Sequence, residues 1–377
     1  MKIAMAAETD TAEPRVAGTP ETVKKFISLG AEVAVEAGAG VRSGVLDADY
    51  KAAGATVGTG VVRDADIVLK VRRPTADEIK SYKKGALVVA IMDPYGNEAA
   101  LKAMADAGLT TFAMELMPRI TRAQSMDVLS SQANLAGYRA VIDAAAEYGR
   151  ALPMMMTAAG TVPAAKVFVM GVGVAGLQAI ATARRLGGIV TATDVRPAVK
   201  EQVQSLGAKF IAVEDEEFKQ AETAGGYAKE MSKEYQAKQA ALIAEHIQKQ
   251  DIVITTALIP GRPAPRLVSR EMVASMKPGS VIVDLAVERG GNVEGVKANE
   301  VVDVNAVKIV GYANVPGRLA ASSSALYAKN LLTFLDILID KKEKKLAINW
   351  DDEILKAVTL TRDGAVVHPN FQPKTAA

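Results

Sequence analysis

The 377-residue sequence contains no cysteine. Disulfides, thiolate nucleophiles and cysteine-ligated metals are thereby excluded, and no metal-ligand set is expected. Histidine is almost as scarce, with only His246 and His368 in the whole chain. No charge of one sign prevails. The 45 basic and 43 acidic residues leave a formal charge of +2, which argues against nucleic acid as a partner, since a dedicated binder carries a strongly basic face. Long hydrophobic runs are also missing. The longest uncharged stretch, Val167 to Ala183, has 17 residues with three glycines and a glutamine among them. A spanning helix needs about 20 mostly apolar residues. The opening MKIAMAAETD lacks an apolar core of signal-peptide length. What remains is ordinary for a soluble globular protein: 49% hydrophobic and 23% charged residues, in a length worth roughly two to three domains.

The N-terminal part alternates strand-like and helix-like segments. KIAMA, AEVAVEAG, DADIVLKV, GALVVAIMD and LTTFAME read as strands. Thr19 followed by Pro20 marks the start of a helix over ETVKKFISLG, and TADEIKSYKKG and NEAALKAMADAG read as two more. From Ile120 to Gly149 the pattern is that of one long alanine-rich helix. A second alternating series follows, with strands KVFVM, IVTATD, KFIAV, DIVITTA, SVIVDLA and KIVGYA. Six such strands suffice for a dinucleotide-binding sheet. A second long helix begins after Gly317, and ILKAVTLTRDGAVVHP reads as a terminal hairpin turning at Arg362-Asp363-Gly364. The expected architecture is two Rossmann-like, doubly wound α/β domains joined by long helices, with a cofactor in the cleft between them. Residues 1–128 and 318–377 would form the first domain, and 129–317 the second.

Gly171, Gly173 and Gly176 form G-x-G-x-x-G directly after an apolar strand and at the start of a helix. The spacing alone is weak in a chain with 30 glycines, but the strand, the helix and an acidic residue are all in place. The first glycine makes the tight turn, the second admits the pyrophosphate, and the third allows close helix–strand packing. The helix N-terminus then stabilises the phosphate charge. Asp194 ends the next strand, 18 residues beyond Gly176. A carboxylate there accepts from the adenosine ribose hydroxyls and repels a 2′-phosphate, which favours NAD(H) over NADP(H). Arg196, two residues on, pulls the other way, because arginine near this point can serve NADP(H).

Most dehydrogenases move a proton with the hydride and need a base at the reacting carbon. His246 lies in a polar helix and His368 beside Pro369, so neither stands at a strand end where such a base is expected. Hydride transfer between two nicotinamides needs no such base. The protein then has only to position the rings and exclude water. A second cluster suits that task. Arg119 follows Pro118, and Gln124, Asp127 and Ser130 recur at intervals of three, a slowly drifting stripe on a helix. An arginine steadied by a carboxylate presents its remaining donors to a carboxamide. A polar face on an interdomain helix is the alternative reading of the same spacing.

The segments MELMPRITRAQSMDVLSSQANLAGYRAVIDAA, MMMTAAGTVPAAKVFVMGVGVAGLQAIATARRLG, ITTALIPGRPAP and SMKPGSVIVDLAVERGGN resemble the NAD(H)-binding component of the proton-translocating nicotinamide nucleotide transhydrogenases. The similarity is near-continuous from Met114 to Gly291 and collinear beyond. It implies hydride transfer from NADH to NADP+ held on a separate component, coupled to proton movement through a transmembrane component. It implies a homodimer at the cytoplasmic face of a bacterial inner membrane. It also implies residue roles. Arg119 would bind the carboxamide, Gln124 would reach the nicotinamide ribose, Asp127 would orient Arg119, and Ser130 would assist. Gly171, Val172, Gly173, Val174 and Gly176 would hold the pyrophosphate and Asp194 the ribose. Val195, Arg196, Gly226, Thr256 and Leu258 would line the cofactor. Tyr227, in AGGYAKEM, matches the tyrosine of a mobile loop near 214–232. About 37 residues separate KFIAV from DIVITTA, far more than a tight connection needs. Related alanine dehydrogenases carry a substrate lysine where Arg72 stands here, and a histidine that VLKVRRPT and ALVVAIMDPYG lack, whereas Arg15 does match. An amino-acid dehydrogenase and an NAD(H)-sensing protein are the two rival readings.

Overall fold

The computed structural model describes residues 1–220 and 231–372, which divide into two compact units. One unit comprises Met1–Gln132 and Pro316–Ala377, the other Ala133–Val315.

The first unit is built on an eight-stranded sheet. Its spatial order is Ala365–Val366, Thr359–Arg362, Thr110–Ala113, Leu87–Ile91, Ile67–Arg72, Lys2–Met5, Glu32–Glu36 and Thr56–Gly58. The six N-terminal strands are parallel, whereas Thr359–Arg362 runs antiparallel to Thr110–Ala113. Alternate residues feed two separate cores. Ile3, Met5, Ile67, Leu69, Val89 and Phe112 enter one; Ala4, Val68, Val88, Ala90 and Ala113 enter the other. Both faces are therefore covered, as a parallel sheet with crossover helices requires. Each fully buried Val, Leu or Ile contributes about 1.5–3 kcal/mol.

The second unit holds a seven-stranded sheet ordered Lys209–Phe210, Ile189–Thr193, Lys166–Met170, Ile252–Thr255, Val281–Asp284, Val307–Val310 and Val301–Val304. Val167, Val169, Ile254 and Val283 face one core, and Phe168, Met170, Val253 and Ile282 the other. The chain reverses its direction of winding between Lys166–Met170 and Ile252–Thr255. In an open α/β sheet this switch point, at the carboxyl ends of the strands, is where ligands bind.

Local signals explain many elements. Thr19 caps the helix Pro20–Ser28 in a reciprocal capping box with Thr22. The hairpin turn places Asp363 at φ 52° and Gly364 at φ 78°, the paired left-handed conformation that matches strand twist. Other expectations are corrected. The long helix is not continuous from Ile120: a 3-10 segment spans Thr121–Met126, Asp127 is extended, and the α-helix runs Val128–Glu147. TADEIKSYKKG supplies only the single turn Ala76–Ile79. Glu353–Val358 is helical rather than the first arm of the hairpin, because Asp352 caps it by accepting from the Ile354 N–H at 2.8 Å. The second sheet has a seventh strand, Val301–Val304, antiparallel to Val307–Val310.

Candidate functional site

The glycine turn sits at the switch point of the second unit. Gly171 has φ 98°, and its N–H donates to the Thr193 carbonyl at 2.9 Å. A Cβ there would lie 2.7 Å from Thr256 Oγ1. The hydroxyl of Thr256 donates to the Gly171 carbonyl at 2.9 Å, tying together the ends of the two strands that flank the switch. A Cβ on Gly176 would overlap that same carbonyl oxygen, so only glycine lets the helix pack this close. Gly173 differs: a Cβ there meets nothing within 4 Å and would project into open space. The helix Val174–Arg185 begins at Gly173 with no side-chain cap on its first N–H groups. An uncapped helix start beside a gap that a methyl group would fill fits the pyrophosphate of a dinucleotide. Val172 is buried beneath the turn, whereas Val174 and Val195 are exposed at its rim.

Asp194 follows the strand Ile189–Thr193. Its Oδ2 accepts from the Val172 N–H at 2.7 Å, and its Oδ1 from the Arg196 N–H at 2.9 Å. The Arg196 guanidinium closes on the same carboxylate, with Nε 2.9 Å from Oδ1 and Nη2 3.0 Å from Oδ2. Arg196 is thus a partner of Asp194, an arrangement that the sequence spacing did not reveal.

The segment after Thr256 carries the exposed side chains of Leu258 and Ile259. Its anchor was missed by sequence reasoning. Asn292, fully buried, accepts from the Ala257 N–H at 3.0 Å and donates to the carbonyls of Ala257 at 2.9 Å and Pro265 at 2.8 Å. The buried amide thereby clasps both ends of the loop. Asp284 holds Asn292 in turn, accepting its backbone N–H at 2.8 Å. The asparagine in VERGGN was the only available signal, and nothing in its spacing marked it.

In the first unit, Arg119 and Gln124 are exposed, Arg119 just after Pro118 and Gln124 within the 3-10 segment. Asp127 is the N-cap of the helix Val128–Glu147: its Oδ1 accepts from the Ser130 N–H at 2.9 Å, and its Oδ2 from the Ser130 hydroxyl. Asp127 and Ser130 are therefore brought together, but by capping and not as a helical stripe with Gln124. Two contacts hold the turn from outside. Arg122 forms a two-pronged pair with Asp352, both contacts 2.7 Å. Asn330 donates to the Ser125 carbonyl at 2.8 Å and accepts from the Ser131 hydroxyl at 2.7 Å. Upstream, Glu115 accepts from the N–H groups of Met92 and Asp93. Burial of its carboxyl outweighs those bonds and pushes its pKa up to about 7.

The two histidines are hydrogen-bonded into the fold. His246 shares a bond with Thr191 Oγ1 at 2.9 Å and packs edge-on against Phe168. His368 lies 3.1 Å from the Ala357 carbonyl through Nε2 and accepts from the Asn370 N–H through Nδ1. Burial lowers the pKa of each. Arg15 and Arg72 both pair with the buried Glu13, Arg15 through Nε and Nη2 at 2.7 Å and Arg72 through Nε at 2.8 Å. Burial alone would raise the pKa of Glu13; the hydrogen bonds and charges of the arginines hold it below the usual range. Gly226, Tyr227 and most of the expected mobile loop lie outside the described residues.

The switch-point glycine turn, the helix start and the acidic strand end define a Rossmann-type dinucleotide-binding protein. Comparison with known proteins narrows this further. Residues 4–136 match the model "Alanine dehydrogenase/PNT, N-terminal domain" and residues 140–369 match "Alanine dehydrogenase/PNT, C-terminal domain". The first of the named parts of the NAD(P) transhydrogenase alpha subunit of Rhodospirillum rubrum is 56% identical, over 98% of this chain and 98% of that relative. The crystal structure of transhydrogenase from Sinorhizobium meliloti is 68% identical, with a TM-score of 0.90 over 97% of this chain and 100% of that one. An L-alanine dehydrogenase structure shares the fold at a TM-score of 0.82 and 24% identity, covering 98% of both chains. The chain belongs to the alanine dehydrogenase/PNT family, on its NAD(P) transhydrogenase alpha-subunit branch.

Proposed function

We propose that the chain is the NAD(H)-binding catalytic component of a proton-translocating transhydrogenase. It would exchange hydride between NAD(H) held here and NADP(H) held on a separate component. The observation that carries this reading is the turn at Gly171, Gly173 and Gly176, with its open side at Gly173 and an uncapped helix start. When bound, the nicotinamide accepts or donates the hydride. Gly171 to Gly176 hold the pyrophosphate, and Asp194 the adenosine ribose. Val195, Thr256 and Leu258 line the cofactor, and Gly226 and Tyr227 close over it. Arg119 takes the carboxamide, Gln124 reaches the nicotinamide ribose, and Asp127 with Ser130 sets the turn on which both stand. No base is required, which agrees with two histidines committed to structural bonds.

Among the described residues, no helix is long and apolar enough to cross a membrane. We therefore assign proton passage to a separate transmembrane component. The name of the Rhodospirillum rubrum relative, which marks it as one piece of an alpha subunit, supports that division of labour. A homodimer docked at the cytoplasmic face of a bacterial inner membrane completes the proposal. Fluorescence titration tests the binding step: NADH should saturate one class of site, with NADPH binding more weakly. Reduction of NAD+ by alanine or a similar amino acid would overturn the reading in favour of a dehydrogenase.

A further inference from the structure

The proposed function gives the adenosine ribose to Asp194, and the inference here rests on that reading. A carboxylate offers about four acceptor directions. In Asp194 the chain's own donors take all four: the backbone N–H groups of Val172 and Arg196, and Nε and Nη2 of the Arg196 side chain. The two backbone donors are fixed, one in the glycine turn and one at the strand end. The two guanidinium donors belong to a single side chain that is 24% exposed, against 7% for Asp194. Nη2 also donates to the Val172 carbonyl at 3.2 Å, so the arginine folds back over the turn itself. Two ribose hydroxyls need two acceptor directions, and only the guanidinium can give up two at once without moving the backbone.

We propose that Arg196 is an intramolecular competitor for the ribose-binding carboxylate, a specificity-determining residue that weakens NAD(H) and favours NADP(H). While it stays on Asp194 it blocks the ribose hydroxyls and cancels the negative charge that would repel a 2′-phosphate. Leaving Asp194 costs the pair, so the apparent affinity for NAD(H) is lowered by the fraction of molecules in which the pair is closed. The balance between the two dinucleotides therefore depends on the Asp194–Arg196 pair and not on the carboxylate alone. A guanidinium that instead contacts the bound cofactor would have the opposite effect on NADH.

The test is a fluorescence titration of the full chain with NADH and NADPH, using Arg196→Gln, Arg196→Lys and Asp194→Asn, each checked for an unchanged melting temperature. Arg196→Gln should bind NADH up to about five-fold more tightly, the upper end of what a part-exposed pair is worth, and should bind NADPH more weakly. Arg196→Lys, which keeps the charge but loses the fork, should fall between it and wild type. Asp194→Asn should weaken NADH. If Arg196→Gln weakens NADH or leaves it unchanged while Asp194→Asn weakens it, Arg196 is no competitor and the ribose reading stands. If Asp194→Asn leaves NADH binding intact, Asp194 is not the ribose ligand and both readings fall.

Discussion

Gly173→Ala separates the space a cofactor needs from the packing a fold needs. Gly173 has φ −81° and ψ −165°, an extended conformation that alanine adopts without strain. Its added methyl group meets no protein atom within 4 Å. Folding stability should therefore hold or rise by about 0.4–1 kcal/mol, through lost freedom in the unfolded chain. The same methyl group would stand where the pyrophosphate approaches the helix start, so NADH should bind at least about ten-fold more weakly, or ~1.4 kcal/mol. Gly176→Ala is the counterpart. Its methyl group would overlap the Gly171 carbonyl, which belongs to the backbone and cannot swing aside. It should cost about 1–3 kcal/mol of stability as well as affinity. Denaturant unfolding and NADH fluorescence titration, run on both variants, read the two quantities. A Gly173→Ala protein of native stability that binds NADH as tightly as wild type would refute the placement of the phosphate.

Other residues give separate tests. Gln124→Asn should slow hydride transfer more than it weakens NADH binding, as the positional role proposed for it requires; equal losses would count against that role. Asp127→Ala removes the cap of Val128–Glu147 and should cost about 1 kcal/mol by denaturant unfolding, whereas Asp127→Asn, which can still accept from the Ser130 N–H, should cost less. Glu115 has its folded pKa raised to about 7 from an ordinary 4.5. Its contribution is present below pH 4.5 and is lost as pH rises towards about 7, an upper bound of ~3 kcal/mol. Glu115→Gln should flatten that decline in pH-dependent unfolding; an unchanged slope would remove Glu115 as its source.

Much of the fold class was legible because buried parallel strands are continuous apolar runs. LVVAI, KVFVM and IVIT stand out from any background, and the Thr19-Pro20 pair marks a helix start by its own chemistry. The failures lie where short-range bonds override pattern. An alanine-rich stretch reads as one helix until Asp127 caps the chain at its own position and leaves Thr121–Met126 as a tighter turn. The strand Val301–Val304 was hidden because its hairpin turns at Asn305-Ala306, both at positive φ, where glycine is the usual second residue. At the candidate site, the glycine spacing and the acid at the strand end could be read directly. That Arg196 folds back onto Asp194, and that Asn292 clasps the loop after Thr256, are long-range or conformational facts with no periodic signature.

The central claim is direct transfer between two nicotinamides, and one reconstitution tests it. The purified chain is mixed with the NADP(H)-binding component of a related transhydrogenase, and reduction of an NAD+ analogue by NADPH is followed spectroscopically. A saturable rate that needs both proteins and falls sharply with Gln124→Asn is the predicted result. No rate above that of either protein alone, with NADH still bound to this chain, would contradict the claim and leave an NAD(H) sensor in its place.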